Sequence, residues 1–342
     1  MGNAGNVTSL ATISRIRLIS DDVILYVTHI STIAVFVFAV IGVIGNVINM
    51  VVFSKLGFQE SVNISLFCLS VSDFLVSVLS VFIGIGINPA LAEIRLPFDL
   101  TSITVVFAVT PRAVFFIITK TITAFVTFER CLCVVMPLKI KLFLTVTRVR
   151  RIMAAMFVSI AISNIPVFYL QPLRWNVFPH LNRTVFSRFT RGTSAEIEIR
   201  NTFFPIRAVI FSLFLYPFII TCTAVLIINL QRKSVWREKT STTGSNKTSG
   251  ISQKDRKVAK AVAMVSGAFL VFGLPGLCME FCTSFVDGFT PLGQFGDIYV
   301  FLLPIAGLFQ CLNSAINVFI YYSNSSNYRE MFTRVFISVH VK

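Results

Sequence analysis

Seven long apolar stretches dominate this sequence and restrict what it can fold into. They run over about 24–54, 61–87, 101–135, 147–170, 203–231, 256–286 and 298–322. A helix needs ~20 mostly apolar residues to cross the hydrocarbon core of a bilayer, and every stretch reaches that length. In lipid the backbone must satisfy its own hydrogen bonds, which points to helices. Membrane-spanning strands would be about half as long and would alternate in polarity. Only 13% of the residues are charged and 55% are hydrophobic, against ~25% charged in soluble domains. The sequence therefore predicts an all-α membrane protein, a seven-transmembrane helix bundle over 24–322, with no internal repeat and no separate soluble module.

Charge gives the orientation. The net charge of +15 lies between the apolar runs, so the positive-inside rule accounts for it better than nucleic-acid binding does. Arg130, Lys139, Lys141, Arg148, Arg150 and Arg151 follow the third run, and nine basic residues from Arg232 to Lys260 follow the fifth. With seven spans both loops share one side, the cytoplasm. That leaves residues 1–23 extracellular and 323–342 as a cytoplasmic tail in a multi-pass plasma-membrane protein. Residues 1–22 lack the apolar stretch of a signal peptide, so the first helix is expected to act as its own insertion signal. The sequons at Asn6 and Asn182 fall outside and are the expected glycosylation sites; those at Asn63, Asn246 and Asn324 fall in membrane or cytosol and read as chance matches. The segment 171–202 departs from the charge rule, with Arg174, Arg183, Arg188, Arg191 and Arg200 against Glu196 and Glu198.

Short motifs narrow the class. The first helix carries Gly45-Asn46 and the second Leu69-Ser70-Val71-Ser72-Asp73. The third ends in Glu129-Arg130-Cys131, with Pro137-Leu138 just beyond. The fifth holds Pro217, the sixth Phe269 and Phe272-Gly273-Leu274-Pro275, and the seventh runs from Asn313 through Asn317 to Tyr321. In this order, one set per helix, they resemble the rhodopsin-like (class A) G-protein-coupled receptors over about 24–336. The stretch Phe128 to Lys139 resembles divergent molluscan receptors of the chemosensory kind.

The resemblance implies roles. Asp73 would face Asn46, Asn313 and Asn317 in a polar core network that can hold sodium, with Lys120 as a competing counter-charge; the plain reading is a structural polar residue. Arg130 would pair with Glu129 and with an acid at the base of helix six. Asp255 fits, 20 residues before Pro275 and hence ~30 Å down the helix. A snorkelling arginine is the plainer alternative. On activation helix six would swing out; the Pro217 kink of helix five and the Pro275 kink of helix six would be hinges, between which Phe269 packs. Asn317 and Tyr321 would then move inward, and the cleft would admit a heterotrimeric G protein. Residues 328–336 read as an amphipathic helix on the inner leaflet.

The chain also departs from the family. Its only tryptophans are Trp175 and Trp236, and Gly273 stands where the family usually has the Trp that senses ligand. Val318 replaces the seventh-helix Pro and Cys131 the usual Tyr. Val105 occupies the usual third-helix disulfide position, and no cysteine lies in 134–221. The seven cysteines read as small apolar packers.

No catalytic constellation, metal cluster or phosphate loop stands out, which leaves no expectation of an enzyme or of a cofactor. Arg112, 18 residues before Arg130, shares its helix face ~27 Å toward the outside. A guanidinium there favours a carboxylate, sulfate or phosphate. The expected partner is an extracellular ligand, an anionic small molecule or an acidic peptide, met by Arg112, Arg207 and Glu280. The bland alternative is an internal Arg112–Glu280 pair. A transporter or channel, or a receptor-like protein that no longer signals, are the competing functions.

Overall fold

The computed structural model describes residues 17–88, 91, 94, 96–178, 183–188, 199, 204–241, 253–291 and 293–337. Seven helices are long and apolar enough to cross a membrane. They are α1 (Asp21–Leu56), α2 (Ser61–Gly86), α3 (Leu100–Val135), α4 (Val146–Tyr169), α5 (Phe204–Ser241), α6 (Gln253–Phe285) and α7 (Gly296–Asn324). A short helix, Pro137–Phe143, links α3 to α4. After α7, α8 (Ser326–Phe332) continues into a π-wound turn, Thr333–Ile337. Every apolar run is a helix. The largest difference is α5, which continues ten residues past the expected end, to Ser241. Hydropathy marks where a chain leaves lipid, whereas the helix goes on while residues such as Gln231, Lys233, Glu238 and Lys239 favour it.

The bundle is inverted in polarity relative to a water-soluble protein. Asp73 and Ser72 are fully buried and Lys120 is 3% exposed, while Phe214 is 74% and Phe319 61% exposed. Lipid is the medium in which that arrangement is stable. α3 is central and packs on α2, α4, α5 and α6; α1 packs on α2 and α7. Within α3 the turn Val105–Val109 is π-wound, directly before Pro111. Proline lacks an N–H and its ring crowds the carbonyl four residues back, and the widened turn relieves that crowding. The Thr110 hydroxyl donates to the Val105 carbonyl at 2.9 Å.

One element was not expected. Within 171–202 the chain forms an antiparallel hairpin, β1 (Leu173–Phe178) with β2 (Arg183–Arg188), pairing Trp175 with Phe186. The Phe186 N–H donates to the Pro97 carbonyl at 3.0 Å, and its carbonyl accepts from the Asp99 N–H at 2.9 Å. None of the seven cysteines is in a disulfide. These two backbone hydrogen bonds tie the hairpin to the start of α3 in place of a covalent link.

Candidate functional site

At the hairpin end, Arg112 follows Pro111 on α3 and reaches into a cavity of about 290 Å³ that Gly276, Glu280, Tyr299 and Gln310 also line. Its Nε donates to Ser80 Oγ at 2.8 Å and its Nη2 to the Gly307 carbonyl at 3.2 Å. Both partners are neutral, and among the described residues no carboxylate lies within ion-pair distance of Arg112. The Arg112–Glu280 pair considered from sequence does not form. Glu280 instead meets Lys120: Lys120 Nζ lies 2.6 Å from Glu280 Oε1, and Ser212 Oγ donates to Glu280 Oε2 at 2.6 Å. Lys120 also donates to Ser212 Oγ at 3.2 Å.

That corrects the expectation for Lys120. It is not a counter-charge to Asp73, because one residue along a helix turns the side chain by ~100°. Thr119 faces α2 and bonds Asp73, while Lys120 faces α5 and α6. Lys120 Nζ stands 5.3 Å from the Phe116 ring centroid and 5.9 Å from that of Tyr216, within cation–π range. Arg207 is likewise turned away from the cavity. It donates to the Ser163 carbonyl at 3.0 Å and to Asn164 Oδ1 at 2.8 Å on α4, and α5 lines the cavity with the next residue, Ala208.

Below the cavity, Phe269 packs between Phe116 and Tyr216, with centroids 6.4 and 5.6 Å away. Tyr216 explains Gly273. A Cβ at Gly273 would overlap the Tyr216 hydroxyl and lie 3.2 Å from its Cζ. The volume that a sixth-helix side chain would take is filled from α5.

At mid-bundle, Asp73 accepts from Asn317 at 2.7 Å, Thr119 at 2.9 Å and Ser314 at 3.4 Å. Asn46 is adjacent but donates to the Gly42 and Ser314 carbonyls, both at 2.9 Å. Asn313 is buried there too, but it is not among the donors to Asp73. At the far end, Arg130 Nη2 bonds Glu129 Oε1 at 2.9 Å, and Ser61 and Ser65 also donate to Glu129. Arg130 Nε and the Tyr321 hydroxyl are buried with no hydrogen-bond partner among the described residues. Tyr321 packs on Phe53 at 5.2 Å and on Tyr328 at 5.6 Å. Tyr328 in turn donates to Asn49 Oδ1 at 2.6 Å. Burial holds the Tyr328 phenol above the ordinary tyrosine range, so it donates as a neutral hydroxyl. Asp255 falls on the first turn of α6, and its side chain lies outside the described residues.

The family described as 7 transmembrane receptor (rhodopsin family) matches residues 45–321. The chain belongs to this receptor family. A search of curated proteins gives no match. The match takes in every motif from Gly45-Asn46 to Tyr321, and the receptor is a multi-pass membrane protein. Asn6 and Asn182 lie outside its described residues. Sequence reasoning missed Ser80, Ser212 and Tyr216 in the hairpin-side half of the receptor. Ser80 and Ser212 are serines on predicted spans, where such residues are common. Tyr216 was signalled only by its place beside Pro217. Tyr328 was read as part of an amphipathic face, and the structure buries it.

Proposed function

We propose that this receptor lies in the plasma membrane with residues 1–23 outside and the tail from 323 inside. It binds a small extracellular anion between α3, α6 and α7 and activates a heterotrimeric G protein through outward movement of α6. The observation that carries the anion is Arg112. Lys120 and Glu280 cancel each other 2.6 Å apart, which leaves the Arg112 guanidinium, among the described residues, as a charge met only by neutral groups. Arg112 is half-buried within the span, and an intramembrane charge is costly until it is paired. A ligand carboxylate, sulfate or phosphate supplies that pair, with bidentate geometry. The cavity of about 290 Å³ lies at the small end of ligand sites, ~300–1,000 Å³, which favours a small molecule over a peptide.

The coupling path runs through Glu280. It lines the cavity and holds α6 to α3 and α5, five residues beyond Pro275 inside α6. An anion on Arg112 perturbs the adjacent carboxylate, and Pro275 is the pivot that carries the shift past Phe269 to the other arm of α6. There Arg130 leaves Glu129 and Asp255, opening a groove for a G-protein helix. The unpartnered Arg130 Nε and Tyr321 hydroxyl are polar groups to which that rearrangement gives partners, and Asn317 leaves Asp73 as Tyr321 moves. Asp73, Ser314 and Thr119 offer the oxygen donors that a hard cation takes; sodium bound there would hold the resting arrangement.

The test is Arg112→Ala at matched surface expression, screened with small organic acids, amino acids and peptides. Responses to acids are expected to vanish. Unchanged potency would remove the anion from the account. Antibody access to end tags in intact cells checks the orientation, with only the N-terminal tag expected to be labelled.

A further inference from the structure

On the outside of the bundle, α1, α7 and α8 enclose a groove of about 570 Å³. Ile41, Ile44 and Ile48 form one wall, Phe319 and Tyr322 the other, and Phe332 the end. Its floor is the close approach of α1 to α7, where a Cβ on Gly45 would come within 2.9 Å of Val318 Cγ1. Ile44 is 57% exposed, so in a membrane this groove faces acyl chains. A second, polar pocket of about 470 Å³ adjoins it, lined by Tyr322, Ser326, Arg329, Glu330, Thr333 and Arg334. Tyr322 borders both. Its ring meets Phe332 edge-on at 5.2 Å, and the two rings form the lip between groove and pocket.

The polar pocket carries two arginines and one glutamate. Arg334 pairs with Glu330 at 3.4 Å, with both side chains largely exposed, a contact that contributes little. Arg329 is exposed and meets no carboxylate among the described residues. The pocket is therefore net cationic and opens directly onto an apolar groove. An amphiphile with an anionic head and acyl tail matches both halves at once.

We propose that this compound surface is a binding site for an anionic glycerophospholipid, with the phosphate on Arg329 and Arg334 and an acyl chain along Ile41, Ile44 and Phe319. Only the cytoplasmic placement of α8 is taken from the proposed function; that leaflet is the one rich in anionic lipid. The bound lipid bridges α1, α7 and α8 at the level of Tyr322, one residue from Tyr321. It thereby steadies the α8 end of the bundle.

The test uses the full chain purified in detergent, with retained lipid counted by native mass spectrometry after incubation with phosphatidylserine or phosphatidylcholine. This readout needs neither ligand nor G protein, so it stands or falls apart from signalling. Phosphatidylserine is expected to be retained several-fold more, at roughly fivefold per basic contact. Arg329→Gln with Arg334→Gln should erase the preference, and Glu330→Gln should enlarge it. Ile44→Trp, which fills the groove, should lower retention of both lipids. All four positions are exposed, so melting temperatures should match the wild type. Equal retention of the two lipids, or an unchanged preference in the double arginine variant, would overturn the proposal. Competition by glycerophosphoserine as effective as by the whole lipid would also overturn it, because the site would then read a free phosphate alone.

Discussion

Separating Lys120 from Glu280 tests whether that pair holds the hairpin-side half of the bundle together. The variant Glu280→Gln leaves the Lys120 ammonium, 3% exposed, with the Ser212 hydroxyl and two aromatic faces. Removing one partner of a buried ion pair costs about 3–5 kcal/mol. Glu280 is 25% exposed, and the Phe116 and Tyr216 rings retain ~0.5–2 kcal/mol of cation–π attraction, so the lower end, about 3 kcal/mol, is expected. Replacing both residues, Lys120→Met with Glu280→Leu, removes the stranded charge. Such replacements are often neutral or stabilising, so the double variant should recover most of the loss. A thiol-reactive dye reports unfolding in detergent, because Cys131, Cys222 and Cys311 are buried. The single variant should melt roughly 3–6 °C lower and the double variant within about 2 °C of wild type. A double variant as unstable as the single one would refute the reasoning, since the loss would then come from packing and not from an unpaired charge.

Three further outcomes follow from individual contacts. Gly273→Ala forces its methyl onto the Tyr216 hydroxyl and should cost about 1–3 kcal/mol; adding Tyr216→Phe, which also removes a buried hydroxyl that has no partner among the described residues, should return part of that in the same melting assay. Tyr328→Phe deletes the 2.6 Å hydrogen bond to Asn49 and strands a buried acceptor, at about 1–3 kcal/mol, and hydrogen exchange in α8 should speed up more than in α3. Phe186→Pro removes the N–H that donates to Pro97, and faster exchange at the Asp99 amide would show that the hairpin has come away from α3.

The bundle was legible because each span must be apolar for ~20 residues, a signal that no local competition disguises. The motif residues were legible as well: Asp73, Arg130 and Asn317 are polar groups where lipid tolerates few. The hairpin was not read, although Arg174 and Asn176 alternate with Leu173, Trp175 and Val177 in the two-residue period of a strand; Arg183 to Arg188 shows no such alternation. The arginines drew attention to charge instead. Partner choice was least visible. Lys120 was set against Asp73, and Glu280 was weighed only as a partner of Arg112; the deciding quantity is the ~100° rotation between Thr119 and Lys120, which depends on how α3 is turned in the bundle. Arg207 was misjudged for the same reason: its place at the head of helix five is in the sequence, but the direction it takes toward Asn164 is set by packing against α4.

The most direct measurement is nucleotide exchange on a purified G protein, driven by reconstituted receptor and a panel of small acids, each matched with its neutral amide. The account predicts that at least one acid accelerates exchange, that its amide does not, and that Arg112→Gln abolishes the difference. Acceleration by acid and amide alike, or an acid response that survives in Arg112→Gln, would contradict it.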